Sequence, residues 1–205
     1  MAVPESLCIG IAGGTASGKT TLADALARRI GGDVARFELD WYYRDLSHLD
    51  SASRAAHNFD HPDALEWEHL EHDAARLAAG QAIDAPVYDF KTHLRTSETK
   101  RVQPAPVLLA EGLHCLHSKR LRELFTFAVY ISLDAESRLA RRIRRDVNER
   151  GRAEAAVRRQ FTTHAQPMHE QYVAPMKRVA DVVVAGLDIK AAAERVMKMT
   201  QEKTR

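Results

Sequence analysis

The sequence has few cysteines and no long apolar run, and each shortage excludes a class of protein. Cys8 and Cys115 lie far apart without C-x-x-C spacing, which favours buried reduced thiols over a disulfide or a zinc site. The apolar run 105–110 is much shorter than the ~18 residues that a membrane span requires. Residues 1–6 carry no basic side chain, which is atypical of a signal peptide. We therefore expect a cytoplasmic protein that does not bind membranes.

The small net charge hides two segments of opposite sign. Over 205 residues, 30 basic and 28 acidic side chains give a balance of +2. Residues 40–73 contain nine acidic and two basic side chains, a balance of −7, whereas residues 138–160 contain nine arginines and three acids, a balance of +6. A basic segment alone would favour nucleic-acid binding. Its pairing with an acidic segment in a short chain is less typical of a nucleic-acid surface.

Short apolar segments alternate with helical patterns along the chain. Length and composition predict a single domain over residues 1–205. Strands are predicted at 7–12, 34–39, 107–110, 128–133 and 181–184, and helices near 19–30, 64–79, 118–124, 135–148, 154–173 and 189–203. This alternation predicts an α/β fold with a five-stranded parallel sheet flanked by helices. Residues 83–106 carry three prolines around extended stretches at 87–90 and 99–102, which predicts a projecting β-hairpin.

A phosphate-binding loop is predicted where the first strand meets the first helix. Residues 13–20 read G-G-T-A-S-G-K-T and fit the pattern G-x-x-x-x-G-K-[ST]. Gly13 and Gly18 let the backbone wrap closely around phosphates, and successive N–H groups attract the anion. Lys19 would reach the β- and γ-phosphates, while Thr20 would offer its hydroxyl to Mg²⁺. The predicted ATP (or GTP) phosphate site is Gly13, Gly14, Thr15, Ala16, Ser17, Gly18, Lys19, Thr20 and Thr21.

The loop predicts nucleoside triphosphate binding but leaves the reaction open. No D-x-x-G or N-K-x-D segment occurs, so a GTPase lacks its switch and guanine motifs. Asp40 follows the second predicted strand, where a carboxylate can accept a proton from an attacking hydroxyl. Glu111 ends the run 107–110, where it would support Mg²⁺. Each acid could instead be a strand-end or helix-capping residue without a catalytic function.

Six stretches, in this order, resemble uridine kinase (uridine–cytidine kinase). They are residues 13–20, D-W-Y-Y at 40–43, N-F-D-H-P-D-A at 58–64, V-Y-D-F-K-T-H-L-R at 87–95, E-G at 111–112 and R-R-I-R-R-D-V-N-E-R-G-R at 141–152. The resemblance covers about residues 7–184, and the stretches at 87–95 and 141–152 are its specific part.

This resemblance implies transfer of the ATP (or GTP) γ-phosphoryl to the 5′-hydroxyl of uridine or cytidine, with Mg²⁺. Asp40 would be the base, Lys19 and Arg145 would act on the phosphates together with Arg150, and the metal would lie near Thr20, Glu111 and Asp40. A lid at 138–160 would close over the substrates, and the chain would form a homotetramer. The implied nucleoside site is Tyr43, Phe59, Asp60, Tyr88, Phe90, His93, Arg142, Arg152 and Gln160.

Other functions remain open on the sequence. The segment E-G-L-H at 111–114 departs from the aliphatic residues usual in uridine kinases and is more similar to phosphoribulokinase. A phosphoribulokinase-like or other small-molecule kinase, and a nucleic-acid-stimulated ATPase, are therefore alternatives. The arginines could also have no role in binding, since Arg142 and Asp146 could form an i,i+4 ion pair on a solvated helix face.

Overall fold

The computed structural model describes residues 7–203, so the expectation for residues 1–6 concerns a segment outside this range. Its strands are β1 Leu7–Gly13, β2 Val34–Glu38, β3 Ile83–Asp89, β4 Leu94–Val102, β5 Val107–Glu111, β6 Phe127–Ser132 and β7 Val182–Ala185. Its α-helices are α1 Lys19–Ile30, α2 Ser51–Ala56, α3 Trp67–Ala78, α4 Lys119–Glu123, α5 Ala135–Arg150, α6 Glu154–Gln160, α7 Gln166–Met168 and α8 Ile189–Lys203. Shorter 3₁₀ turns occupy Leu39–Tyr42, Pro62–Ala64 and Ala174–Arg178.

Five strands form the predicted parallel sheet, in the order β2-β5-β1-β6-β7. Successive side chains of a strand point to opposite faces, and the centre of the sheet shows this directly. Cys8 and Ala12 of β1 enter one buried cluster with Phe37, whereas Ile9 and Ile11 enter the other with helix α1. Helices thus cover both faces, and the α/β prediction is confirmed.

Glycines set both ends of helix α1. Gly18 precedes the helix with φ +101°, and Gly31 follows it with φ +67°, both in the left-handed region that glycine tolerates. The backbone N–H of Gly31 donates to the carbonyl of Ala27 at 3.2 Å, which ends the helix where the sequence predicted.

The hairpin differs in register from the sequence prediction. Strands β3 and β4 pair antiparallel from Ile83 with Val102 to Asp89 with Leu94, with an irregularity between Pro86 and Tyr88. The paired strands are longer than the predicted stretches, and the stretch at 87–90 does not face the one at 99–102. The tip residues 90–93 are held by Asp89, whose carboxylate accepts from the backbone N–H of Lys91.

Two helical segments differ from the sequence prediction. Helix α2 was missed, although Asp50 caps it by accepting from the backbone N–H of Ser53 at 2.9 Å. The helix predicted at 154–173 is continuous over that range, since its junction residues Phe161, Gln166 and His169 keep right-handed helical dihedrals, but Phe161–Ala165 and His169–Val173 are π-helical. Pro167 lacks a backbone N–H and cannot complete the regular α-helical hydrogen bonding, so the turns around it widen.

Within residues 7–203, the longest apolar helical stretch falls short of what crossing a membrane requires.

Candidate active site

The phosphate loop between β1 and α1 closes on its own backbone. The Lys19 ammonium donates to the carbonyl of Gly14 at 3.1 Å, and the backbone N–H of Ser17 donates to the same carbonyl at 3.1 Å. A Cβ atom at Gly13 would lie 2.8 Å from the carbonyl oxygen of Ile131, so this position has no room for a side chain. The loop therefore requires glycine where the sequence pattern has it.

Oxygen donors suited to Mg²⁺ lie beside the loop. The hydroxyl of Thr20 donates to the carboxylate of Glu111 at the end of β5. Burial raises the pKa of Glu111, and Lys19 and Thr20 oppose that rise. Burial also lowers the pKa of Lys19, and the carboxylates of Glu111 and Asp40 partly oppose this change. Within residues 7–203, no group of three or more His, Cys, Asp or Glu side chains is arranged to hold a metal ion.

One cavity brings together the side chains that the sequence predicted for the acceptor. Asp40 enters it from the 3₁₀ turn directly after β2, and Lys19 enters it from the start of α1. The complete lining is Thr15, Ala16, Lys19, Asp40, Tyr43, Phe59, Asp60, Tyr88, Phe90, His93, Leu113, Arg142, Arg145, Arg150, Arg152 and Gln160. All nine residues predicted to hold a nucleoside therefore line one space with the predicted base.

Aromatic rings form one wall of this cavity. Phe59 stacks on His93 with centroids 4.8 Å apart and an interplanar angle of 17°. Tyr43 contacts both Phe59 and Tyr88, at 5.4 and 5.2 Å. The Tyr88 hydroxyl is buried and has no hydrogen-bond partner among the described residues. A buried polar group without a partner is costly, so this hydroxyl is available to a ligand in the cavity.

The cavity keeps its ring side chains uncharged. Burial lowers the pKa of His93, and Arg152 and Arg150 lower it further. Burial raises the pKa of Tyr88, and Asp40 adds to this rise. His93 is therefore a neutral imidazole near pH 7, which donates from one nitrogen and accepts at the other. Its backbone is left-handed, with φ +56°, at the end of the hairpin tip.

Arg142 and Arg152 with their hydrogen-bond partners form a second wall of this cavity. Asp60 faces Arg142 at 3.5 Å, and Gln160 accepts from Arg142 at 2.9 Å and from Arg152 at 2.8 Å. Asp60, Arg142 and Gln160 are each less than 9% exposed. The network joins α5 to α6, and its Arg142 and Asp60 side chains are 8% and 9% exposed.

Asp146 of α5 organises this wall, and sequence reasoning missed its role. Its fully buried carboxylate lies 3.6 Å from Arg142, 2.8 Å from Arg145, 3.7 Å from Arg150 and 3.3 Å from Arg152. Burial raises its pKa, the arginines lower it, and the net shift is downward. The interpretation of Arg142 and Asp146 as a pair on a solvated helix face is wrong, because both are buried. Their four-residue spacing was the available signal.

The predicted phosphate residues divide between two adjoining spaces. Gly18, Thr20 and Thr21 line a second cavity with Arg141, Arg144, Glu149 and Ile189, and Ala16, Lys19 and Arg145 line both cavities. Arg145 therefore stands where the two cavities meet. Arg150 lines the first cavity and lies over the ring of Phe90 at 4.3 Å. Gly13, Gly14, Ser17 and Glu111 line neither cavity.

Leu113 and His114 were also missed as site residues. Leu113 lines the first cavity, and His114 is buried behind it, with Nε2 at 3.0 Å from the backbone carbonyl of Asp60. The E-G-L-H segment was noted as a departure from a family pattern, but sequence alone did not show what its histidine contacts.

The parallel sheet, the phosphate loop and the arginine-bearing helix beside it define a P-loop kinase. The model of the Phosphoribulokinase / Uridine kinase family matches residues 8–193. This chain belongs to that family.

Known relatives match the chain over most of its length. A uridine kinase of Chloroflexus aurantiacus is 44% identical over 181 residues, which is 88% of this chain and 87% of that protein. A uridine kinase of Halobacterium salinarum is 39% identical over 208 residues, covering 100% of this chain and 92% of that protein. Among solved structures, a putative fructose transport system kinase of Silicibacter sp. TM1040 has a TM-score of 0.70 at 20% identity, over 89% and 91% of the two chains. The last likeness concerns the fold alone.

Proposed function

We propose that this chain transfers the γ-phosphoryl group of ATP or GTP to the 5′-hydroxyl of uridine or cytidine. The observation that carries the proposal is the single cavity that holds Lys19 and Asp40 together with an aromatic and histidine wall. The relatives named uridine kinase support the same acceptor. A sugar phosphate would not require stacked rings, whereas a nucleobase uses both their faces and their polar edges.

Asp40 is the proposed base. It follows β2 at the carboxyl edge of the sheet, and it shares the cavity with Lys19 and Arg145. A carboxylate there can accept the proton of the 5′-hydroxyl as the phosphoryl group transfers. Lys19 and Arg145 would stabilise the charge that spreads over the transferring oxygens, with Arg150 released from the Phe90 ring to assist.

The nucleobase would be recognised at the hairpin. Tyr88 offers a hydroxyl without a partner, and neutral His93 offers one donor and one acceptor. This combination accommodates either the carbonyl at position 4 of uracil or the amino group of cytosine. Phe59, Phe90 and Arg152 would pack around the ring, so both nucleosides are expected acceptors.

The ribose would lie against the arginine network. Asp60 would accept from the ribose hydroxyls, with Arg142 beside it and Tyr43 and Gln160 nearby. A 2′-deoxyribose would leave part of a buried carboxylate unpaired, so the ribonucleoside is favoured.

Mg²⁺ would bind the triphosphate next to the phosphate loop. Thr20 and Glu111 offer oxygen donors in contact with each other, and Asp40, the third predicted donor, interacts electrostatically with Glu111. When bound, the ion neutralises phosphate charge and orients the transferring group. The protein's own part is to hold these oxygens in place and to exclude water as the lid, residues 138–160, closes.

We further propose a single domain with residues 83–106 as the hairpin insertion, a cytoplasmic location and a homotetramer. These follow from the resemblance to uridine kinase and from the composition. Multi-angle light scattering of the purified chain would test the homotetramer.

A panel of acceptors tests the proposed function. ADP release is measured with uridine, cytidine, deoxycytidine, ribulose 5-phosphate and pantothenate, with RNA as a further arm. We expect turnover with both ribonucleosides and little with the others. No response to uridine or cytidine would reject the proposal. Stimulation by ribulose 5-phosphate would favour a phosphoribulokinase-like activity, and stimulation by RNA with a steep salt dependence would favour a nucleic-acid-stimulated ATPase.

A further inference from the structure

His114 is a buried histidine that the proposed reaction does not use. It lies three residues after Glu111, the last residue of β5, and its side chain is 1% exposed. A Cβ atom at Gly112, two residues before His114, would lie 2.6 Å from the Cβ of Leu39, so this loop packs tightly against the start of the turn that carries Asp40.

The hydrogen bonding of His114 fixes its tautomer. Nε2 lies 3.0 Å from the backbone carbonyl oxygen of Asp60, and a carbonyl only accepts, so Nε2 carries the hydrogen. Burial lowers the pKa of His114 to about 3. The ring is therefore neutral through the physiological range, and its bond to Asp60 does not change with pH there.

Asp60 depends on contacts of this kind because it belongs to no helix or strand. It lies in a turn before Pro62–Ala64. Its carboxylate reaches Arg142 at 3.5 Å, the outer limit of a hydrogen bond, and its backbone N–H reaches the Asn58 side chain at 3.2 Å. The bond from His114 is shorter and fully buried, so it contributes strongly to the placement of this turn.

A second histidine anchors the next residue of the turn. Nδ1 of His61 accepts from the backbone N–H of Asp63 at 3.1 Å, which places the hydrogen on Nε2. That Nε2 then donates to the Tyr172 hydroxyl at 3.0 Å. The peptide between Asp60 and His61 is thereby held on one side by the β5 loop and on the other by the π-helical segment His169–Val173.

We propose that His114 is a positioning residue that gives the site its selectivity for ribose, by holding the main chain of Asp60. The inference rests on the proposed function, in which Asp60 accepts from the ribose hydroxyls. Without the Nε2–H donor, the carbonyl of Asp60 would be buried and unpaired, and the turn would shift to reach another partner. A small displacement of the carboxylate weakens its bonds to the hydroxyls but leaves the stacking of the base unchanged.

The variants His114→Gln, His114→Asn and His114→Leu test this role. Glutamine places its Nε2 near the position of the histidine Nε2, whereas asparagine matches Nδ1 and falls short of Asp60. Leucine removes the donor. The matched control is His117→Leu, because His117 contacts the ring of His114 at 5.8 Å and has no bond to Asp60. The Kd of each protein for uridine and for 2′,3′-dideoxyuridine, which lacks both hydroxyls that Asp60 would bind, is measured by calorimetry, and KM and kcat are measured with uridine.

We expect His114→Leu and His114→Asn to raise the Kd and the KM for uridine by about tenfold, the effect of losing roughly one buried hydrogen bond. The Kd for dideoxyuridine should change by less than about twofold. His114→Gln and His117→Leu should keep the wild-type ratio of the two Kd values.

Equal losses of affinity for uridine and dideoxyuridine would overturn the proposal. So would a His114→Gln protein that does not restore the wild-type ratio of the two Kd values. If leucine prevents folding, the pair of glutamine and asparagine decides the question. Absence of uridine turnover in the wild-type protein would instead reject the proposed function, so the two failures are distinguishable.

Discussion

The two sides of the cleft are built in different ways. The phosphate side is a contiguous loop, whose Gly14 carbonyl accepts from Lys19 and from the N–H of Ser17, residues within five positions of each other. The acceptor side is assembled from side chains far apart in sequence, such as Asp60 and Arg142, separated by 82 positions. Backbone geometry holds the first side, and tertiary packing holds the second. Changes to single side chains should therefore affect the acceptor side selectively.

The largest expected effect separates chemistry from nucleotide binding. Asp40→Asn keeps the size of the side chain and removes the base, so kcat should fall about 10³-fold. The Kd for ATP, measured by calorimetry without an acceptor, should stay within about twofold of wild type. Asp45→Asn, an exposed carboxylate bonded to Ser47 at 2.6 Å, is the control and should retain full activity. Wild-type turnover of Asp40→Asn would contradict its role as base.

A second effect should reach both sides of the cleft at once. Asp146→Asn leaves four arginines without their shared carboxylate, and we expect the free energy of unfolding to fall by about 3 kcal/mol. We also expect kcat/KM for uridine to fall about 100-fold. Urea unfolding and steady-state assays measure these losses. The control is Glu136→Gln, at an exposed carboxylate on the same helix, which should change neither the free energy of unfolding nor kcat/KM. An Asp146→Asn protein with wild-type stability and activity would show that the arginines do not depend on Asp146.

A third, smaller effect should be confined to the acceptor. Tyr88→Phe removes the unpartnered hydroxyl, so kcat/KM for uridine should fall about tenfold and the KM for ATP should not change. Tyr42→Phe makes the same chemical change outside the cavity, where the hydroxyl donates to Asp73 at 2.8 Å. That control should lose about 1 kcal/mol of stability and keep its KM values. Equal kinetic effects of the two variants would argue against base recognition by Tyr88.

The smallest expected effect is a pH dependence on the acceptor side alone. Burial, Arg152 and Arg150 lower the pKa of His93 below 6.5, so the neutral ring persists from pH 8 down to pH 6.5 and becomes protonated only in more acidic solution. The KM for uridine should change little between pH 8 and pH 6.5 and rise only in more acidic solution. His93→Asn should abolish the rise, because asparagine does not titrate. A rise in KM that persists in His93→Asn would show that another group titrates.

The phosphate side and the acceptor side of the cleft also differ in how much of their structure the sequence predicted. The parallel sheet and the ends of α1 were predicted, because apolar periodicity and glycines at 13, 18 and 31 act locally. The hairpin register was not, because pairing of Ile83 with Val102 depends on distant partners and on an irregularity near Pro86. The nucleoside residues were named by resemblance, and their convergence on one cavity could be seen only in three dimensions.

Asp146 and His114 show why local patterns are insufficient. A carboxylate four residues from an arginine is equally compatible with a solvated pair and with a buried hub, and its burial is decided by what packs over it. A histidine after a strand does not disclose that a carbonyl 54 positions away will accept its hydrogen. Both roles depend on desolvation and on neighbours that are distant in sequence.

Residue type and short-range spacing were enough to predict the phosphate loop, the alternating α/β pattern and the separation of acidic from basic segments. The folded structure was needed to show that the Tyr88 hydroxyl has no partner within residues 7–203, that one buried carboxylate contacts four arginines and that His114 bonds the carbonyl of Asp60. The physical reason is that burial and hydrogen-bond satisfaction are properties of packed neighbours, and the chain acquires them only when distant segments meet.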